Sequence, residues 1–237
     1  MPYRTLSPER IIETAERLAE RIEDRFPQAG LAKVGGELVK LARDINADIG
    51  TIDRPIIWLR ATIGMIVLAG SAAFLWLVAA VLPGPGDVFA KQDIIPVVEA
   101  GINIAVLLGA GLFALVAIEE RLKRKRAFGG LHGIRSLIHV IDMHQLTKDP
   151  ITLTADFTPT GKSPRRVLGK AEMLRYLDYC SEMIAVTGKL AALYAQALND
   201  VFVVEAVNDI ENLGSNLSRK VWQKIALISG GRTKDRA

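Results

Sequence analysis

The chain has 237 residues, half of them hydrophobic and 24% charged, with a formal net charge of +4. Its mean hydropathy of +0.24 is high for a soluble domain and describes apolar spans beside polar segments. A single cysteine, Cys180, excludes an internal disulfide framework.

No short apolar core follows a basic start at the amino end, so a cleaved signal peptide is not expected there. Ser7-Pro8-Glu9 reads as a helix start, because serine caps free N–H groups and proline is tolerated at the first helical position. Ile11, Ala15, Leu18 and Ile22 then recur at helical spacing, and Phe26-Pro27 with Gly30 closes the segment. A second helix is predicted from about Leu31 to Ile52, with the seam Leu31, Val34, Leu38, Leu41, Ile45 and Ile52. The two helices are expected to form an amphipathic hairpin over residues 1–54. Whether its seam closes inside the chain or on another subunit is open at this level.

Between Ala61 and Leu82 there is no charge, a run long enough to cross a hydrocarbon core of about 30 Å at 1.5 Å per residue. Arg54, Trp58 and Arg60 flank its start, and Trp76 suits an interfacial aromatic belt. Pro83-Gly84-Pro85-Gly86-Asp87 ends this span. A second is predicted from about Ile94 to Ile118, so residues 55–120 read as a two-span hairpin around a short loop, 83–93. Arg121, Lys123, Arg124, Lys125 and Arg126 follow at once, whereas the loop sets Lys91 against Asp87 and Asp93. Cations stay on the cytoplasmic side, so the loop is expected outside and both ends in the cytoplasm, in a plasma membrane of bacterial (inner-membrane) type. A basic run abutting a span is a topology signal before it is a nucleic-acid site, and no nucleic-acid partner is expected.

Beyond the membrane, residues 121–237 read as a cytoplasmic helical domain. Phe128 to Leu146 is a predicted helix with the apolar stripe Leu131, Ile134, Ile138 and Ile141. Thr147 to Pro164 is loop-like, with Ile151-Thr-Leu-Thr as a short extended piece. Met173, Leu177, Cys180, Ile184, Ala191, Tyr194 and Leu198 form one helical face; Val203, Val207, Ile210, Leu217, Val221, Ile225 and Ile228 form another. Asn199-Asp200 is a plausible break between them, which makes a long hairpin, although no Gly or Pro excludes one continuous helix. The expected fold is all-α: a transmembrane helical hairpin between cytoplasmic, coiled-coil-like helical regions.

Few residues carry chemistry by placement. Glu99 and Asn103 share a face of the second span, which continues through Val106, Ala110, Ala114 and Ala117. Polar side chains there need water or a partner, so Glu99, Asn103, Ala110 and Ala114 form a candidate pore-lining or subunit-facing surface. On nearly the opposite side Gly101, Ala105 and Gly109 are a small-residue packing stripe, with Gly64 and Gly70 available from the first span. His132, Arg135, His139 and Asp142 share one side of the next helix, with His139 and Asp142 within mutual reach. They form a candidate sensing or interaction stripe, since histidine changes charge near neutral pH. His132 and His139 stand about 10.5 Å apart along the axis, too far for one metal ion, and no metal or other cofactor is expected. Thr160-Gly161-Lys162-Ser163 lacks the first glycine of a phosphate loop, because Asp156 stands there.

The sequence therefore predicts an oligomeric membrane-anchored interaction or effector protein, pore formation being one form of it, and no enzymatic activity. Its expected partners are the lipid bilayer, further copies of itself and a cytosolic protein. The alternatives are a passive anchor or scaffold and an enzyme built on the His132/Arg135/His139/Asp142 stripe.

Overall fold

The structure is a computed structural model that describes residues 4–52, 54–81, 91–153, 157–163 and 168–230. Every regular element among them is helical. α1 (Pro8–Arg25) and α2 (Gly30–Ile52) are followed by α3 (Ile57–Val81) and α4 (Lys91–Leu146). A 3-10 turn (Pro150–Leu153) then precedes α5 (Lys170–Ala197) and α6 (Val201–Gly230). The proline-glycine segment and most of the predicted outside loop lie outside the described residues.

The chain divides into two compact units. One comprises Met1–Asp53 and Arg124–Ala237, the other Arg54–Lys123. Residues 1–53 and 124–237, separate segments by sequence, thus contribute to one body.

In that body α1 starts where Ser7 Oγ accepts the Arg10 N–H, and it buries Ile11, Ala15, Leu18 and Ile22. Its seam packs on α2, which buries Leu31, Val34, Leu38, Ala42 and Ile45. Ala42 takes the central place predicted for Leu41, which is only half-buried. Both helices also pack on α5, and α5 pairs along its length with α6. With neighbours on two sides, α5 is buried over more than one face. Tyr176, Tyr179, Met183, Val186 and Leu190 join the predicted face in the core. The amino-terminal seam therefore closes within the chain.

The α5–α6 turn needs neither glycine nor proline. Asp200 Oδ1 accepts the N–H groups of Phe202 and Val203, at 3.0 and 3.2 Å, and so caps α6. Its other oxygen accepts two bonds from Arg124 of α4, at 2.8 and 2.5 Å.

Two sequence expectations are corrected. The predicted helix at 128–146 is the carboxyl-terminal part of α4, continuous with the second apolar run; the Arg/Lys-rich stretch between them consists of good helix formers and holds no breaker. Ile151-Thr-Leu-Thr is not extended: residues 150–153 form a 3-10 turn, in which Asp149 accepts the Ile151 N–H and the Thr152 hydroxyl.

In the other unit, α3 and the apolar part of α4 are long and apolar enough to cross a membrane. Their outward side chains find no cover among the described residues: Leu107 is 73% exposed and Phe113 78%. Contact between the two helices runs through glycine. Gly101 faces the Phe74 ring, and Gly70 faces Leu108.

Candidate functional site

Three polar clusters and one bare face emerge. The first cluster gathers around Glu119, the first charged residue after the second apolar run. Its side chain is only 12% exposed. It accepts from Lys123 at 3.1 Å, from Arg60 Nε at 3.5 Å and from the Ile56 N–H at 3.5 Å. One carboxylate thus ties the start of α3 to α4 and is shared between two flanking cations where the apolar surface ends. Thr62, inside the first apolar run, satisfies its hydroxyl by donating to the Trp58 carbonyl at 2.9 Å.

The second cluster closes the carboxyl end of α4. The Gln145 carbonyl accepts the Lys148 N–H at 3.1 Å and the Lys224 ammonium of α6 at 2.8 Å. Lys224 is therefore a tertiary cap on a helix C-terminus, where the dipole favours a cation. Burial pushes its pKa down, opposed by the Asp149 and Asp142 carboxylates. The Gln145 amide donates to Asp142 Oδ1 at 2.6 Å, whereas its own side-chain oxygen is buried without a partner among the described residues. His144 Nδ1 lies 3.4 Å from the Tyr176 hydroxyl, and Lys148 stands 4.8 Å over the Tyr176 ring. Burial, then the Lys148 charge, holds His144 below its usual range. Nearby Cys180 is fully buried, and desolvation pushes its thiol up to about 12. A thiol so placed is a poor nucleophile. The cluster holds a charge network and a helix end together, and it presents no activated nucleophile with its base.

The predicted stripe on α4 does not converge. His132, Arg135 and His139 are exposed. Arg135 reaches Asp209 of α6 at 3.9 Å, between two solvated side chains. Asp142 is bonded to Gln145, so the His139–Asp142 pair read from sequence is replaced by a bond one turn further along. Among the described residues no group of three His, Cys, Asp or Glu could hold a metal ion. Thr160 and Ser163 close a tight turn on themselves, the Thr160 N–H donating to Ser163 Oγ at 2.8 Å.

The third cluster is the Arg124–Asp200 pair at the α5–α6 turn, with the Arg124 guanidinium 4.6 Å over the Phe202 ring. Arg121, Lys125 and Arg126 of the same basic run are exposed, and Lys123 is taken by Glu119.

The bare face belongs to the apolar unit. Glu99, Asn103, Ala110 and Ala114 are all exposed, and among the described residues nothing answers the Asn103 amide. Of the small-residue stripe only Gly101 meets the first span. Ala105 is exposed, and Gly109 has open space beside its Cα. Glu119, Gln145 and Lys224 were missed by sequence reasoning. Glu119 offered one signal, an acid set between the end of an apolar run and a block of cations.

Comparison with protein-family models, with curated proteins and with solved structures gives no match.

Proposed function

We propose that the chain is an oligomeric, membrane-anchored interaction and effector protein. In this reading α3 and the apolar part of α4 cross a bilayer with both chain ends in the cytoplasm, and the helical body couples a cytoplasmic event to the spans. The observation that carries it is the contrast between the units. One has a closed apolar core and a charged surface, as water requires. The other leaves Leu107, Phe113 and their neighbours uncovered, as only lipid or another span permits. The basic run Arg121–Arg126 favours the cytoplasmic side for the end of the second span.

Self-association through the second span is supported by Asn103. A carboxamide facing hydrocarbon costs free energy unless a partner answers it, and a copy of itself is such a partner. Ala110 and Ala114 continue that face and permit close approach. A pore is the form of this effector in which the Glu99/Asn103 face lines a ring.

The test is the subunit count of the detergent-purified protein by light scattering corrected for detergent, for wild type and for Asn103→Leu and Ala110→Leu. A discrete oligomer that dissociates in the variants supports the reading. A wild-type monomer, or assembly unaltered in both variants, removes span-mediated association and leaves the passive anchor.

A further inference from the structure

We infer that the cleft between the start of α5 and the end of α6 is a ligand site, and that it takes an anion carried on a flat ring, of the nucleoside monophosphate class. Every residue lining it belongs to the helical body, so the inference stands apart from the membrane reading above.

The cleft has a volume of about 640 Å³. Pockets for small molecules hold roughly 300–1,000 Å³. Leu174, Arg175 and Asp178 line it from α5, Trp222 and Ile225 from α6, and Arg25 from the last turn of α1. Steps of three and four residues keep each set on one face of its helix. Leu174 and Ile225 are half-buried and pack on the small core that holds Leu177 and Val221, so the floor is apolar.

Three features converge there. Trp222 is 56% exposed, which leaves its indole uncovered as a stacking platform. Arg25 makes no hydrogen bond or ion pair among the described residues. Its place at a helix C-terminus suits a cation, but its fork of donors is unanswered by protein. Arg175 gives one nitrogen to Asp178 Oδ2, at 3.2 Å, and keeps its other donors. Two guanidiniums thus face the cleft with one carboxylate between them and a net positive charge.

The mixture selects the ligand. An indole over an apolar floor suits a neutral ring, and paired guanidiniums alone suit inorganic phosphate. A molecule that answers both carries ring and anion together. A phosphate monoester holds a charge of about −1.5 to −2 near neutral pH and offers three acceptor oxygens, enough for two guanidiniums. The Asp178 carboxylate adds an acceptor for a sugar hydroxyl or a ring amino group. A ligand seated there touches α1, α5 and α6 at once, so its occupancy can bias how these helices pack.

The test is equilibrium dialysis of labelled AMP against the detergent-purified full chain, with adenosine and inorganic phosphate as competitors. The expected result is saturable binding of AMP, with adenosine and phosphate each competing at least about tenfold more weakly than unlabelled AMP. Trp222→Ala should weaken binding on the order of tenfold, and Trp222→Phe should restore most of it. Arg25→Gln and Arg175→Gln should each weaken it about five- to tenfold. All four variants should melt close to wild type, since these side chains are largely solvated. No saturable binding up to millimolar AMP overturns the inference. Binding that is unaltered in Trp222→Ala and in both arginine variants overturns it too, because the ligand then sits elsewhere. Phosphate competing as well as AMP overturns the ring, and adenosine competing as well overturns the anion. None of these outcomes touches the subunit count, so the membrane and assembly reading stands or falls separately.

Discussion

Gly130 of α4 lies under Tyr194 of α5 so closely that a methyl group at 130 would overlap the phenolic oxygen and stand 2.8 Å from ring carbon Cε2. Tyr194 is fully buried, and its hydroxyl donates to Asp48 of α2 at 3.3 Å. Gly130→Ala therefore sets two effects against each other. Alanine is worth about 1 kcal/mol over glycine in a helix interior. Overpacking costs about 1–3 kcal/mol, and drawing the phenol away from Asp48 costs about 1 kcal/mol more, since half-exposed Asp48 recovers water. The expected balance is a loss of about 1–3 kcal/mol, a fall in Tm on the order of 5 °C for a chain of this size. Tyr194→Leu removes the ring that collides, and in that background Gly130→Ala should be neutral or stabilising by up to about 1 kcal/mol. Thermal unfolding followed by far-ultraviolet circular dichroism, in one detergent for all four proteins, gives the coupling. An equal decrement in both backgrounds, or a stabilised single variant, refutes the packing argument.

Three further outcomes are expected. Asp200→Ala removes the α6 cap and strands Arg124, so it should lower stability by about 2–3 kcal/mol, while Asp200→Asn keeps the cap and loses less; the order of melting temperatures checks this. Because burial and Lys148 depress the folded pKa of His144, the neutral form is favoured by folding. Its contribution is complete above the unfolded value and is lost as pH falls through the folded one. His144→Asn should therefore show a shallower loss of Tm than wild type between about pH 7 and 5, and equal slopes would contradict it. Cys180, buried and with its thiol pushed up to about 12, should resist an aromatic disulfide reagent at mildly alkaline pH in the folded protein and react fully in denaturant.

Local signals were legible where one helix decides the outcome. Ser7 announces α1, the periodic Ile and Leu residues announce the buried seams, and the long apolar runs announce the two apolar helices. What escaped depends on neighbours. α5 reads as one-faced but is buried on several, because its packing between α1, α2 and α6 is a property of three distant segments. Gln145 and Lys224 are 79 positions apart, and no spacing rule joins a carbonyl at a helix end to an ammonium on another hairpin. His139 and Asp142 had suitable spacing, but spacing does not say which neighbour a carboxylate prefers; the nearby Gln145 amide, itself buried, had more to gain from the bond. At α4 the composition changes after Ile118 from apolar to charged, and such a change does not require a change of backbone.

The closure of the amino-terminal seam bears on the choice between effector and scaffold. Had the α1–α2 face been left open, a foreign helix would have been its natural complement, and a passive anchor for a cytosolic partner would follow. Instead Leu18, Ile22, Leu31, Leu38 and Ile45 are buried in the same core as Ile134, Ile138 and Cys180. The body spends its seams on itself. Large apolar side chains are still exposed on it, notably Val140, Met143 and Leu146 on α4, Val201 and Phe202 at the turn, and Trp222 and Leu227 toward the end of α6. Most of the exposed large apolar side chains belong to the other unit, where Asn103 also lacks a partner among the described residues. In the membrane reading proposed above, a bilayer would cover the apolar part of those faces but could not satisfy the carboxamide. The next partner to seek is therefore another copy at the level of the spans, before a cytosolic protein at the level of the body.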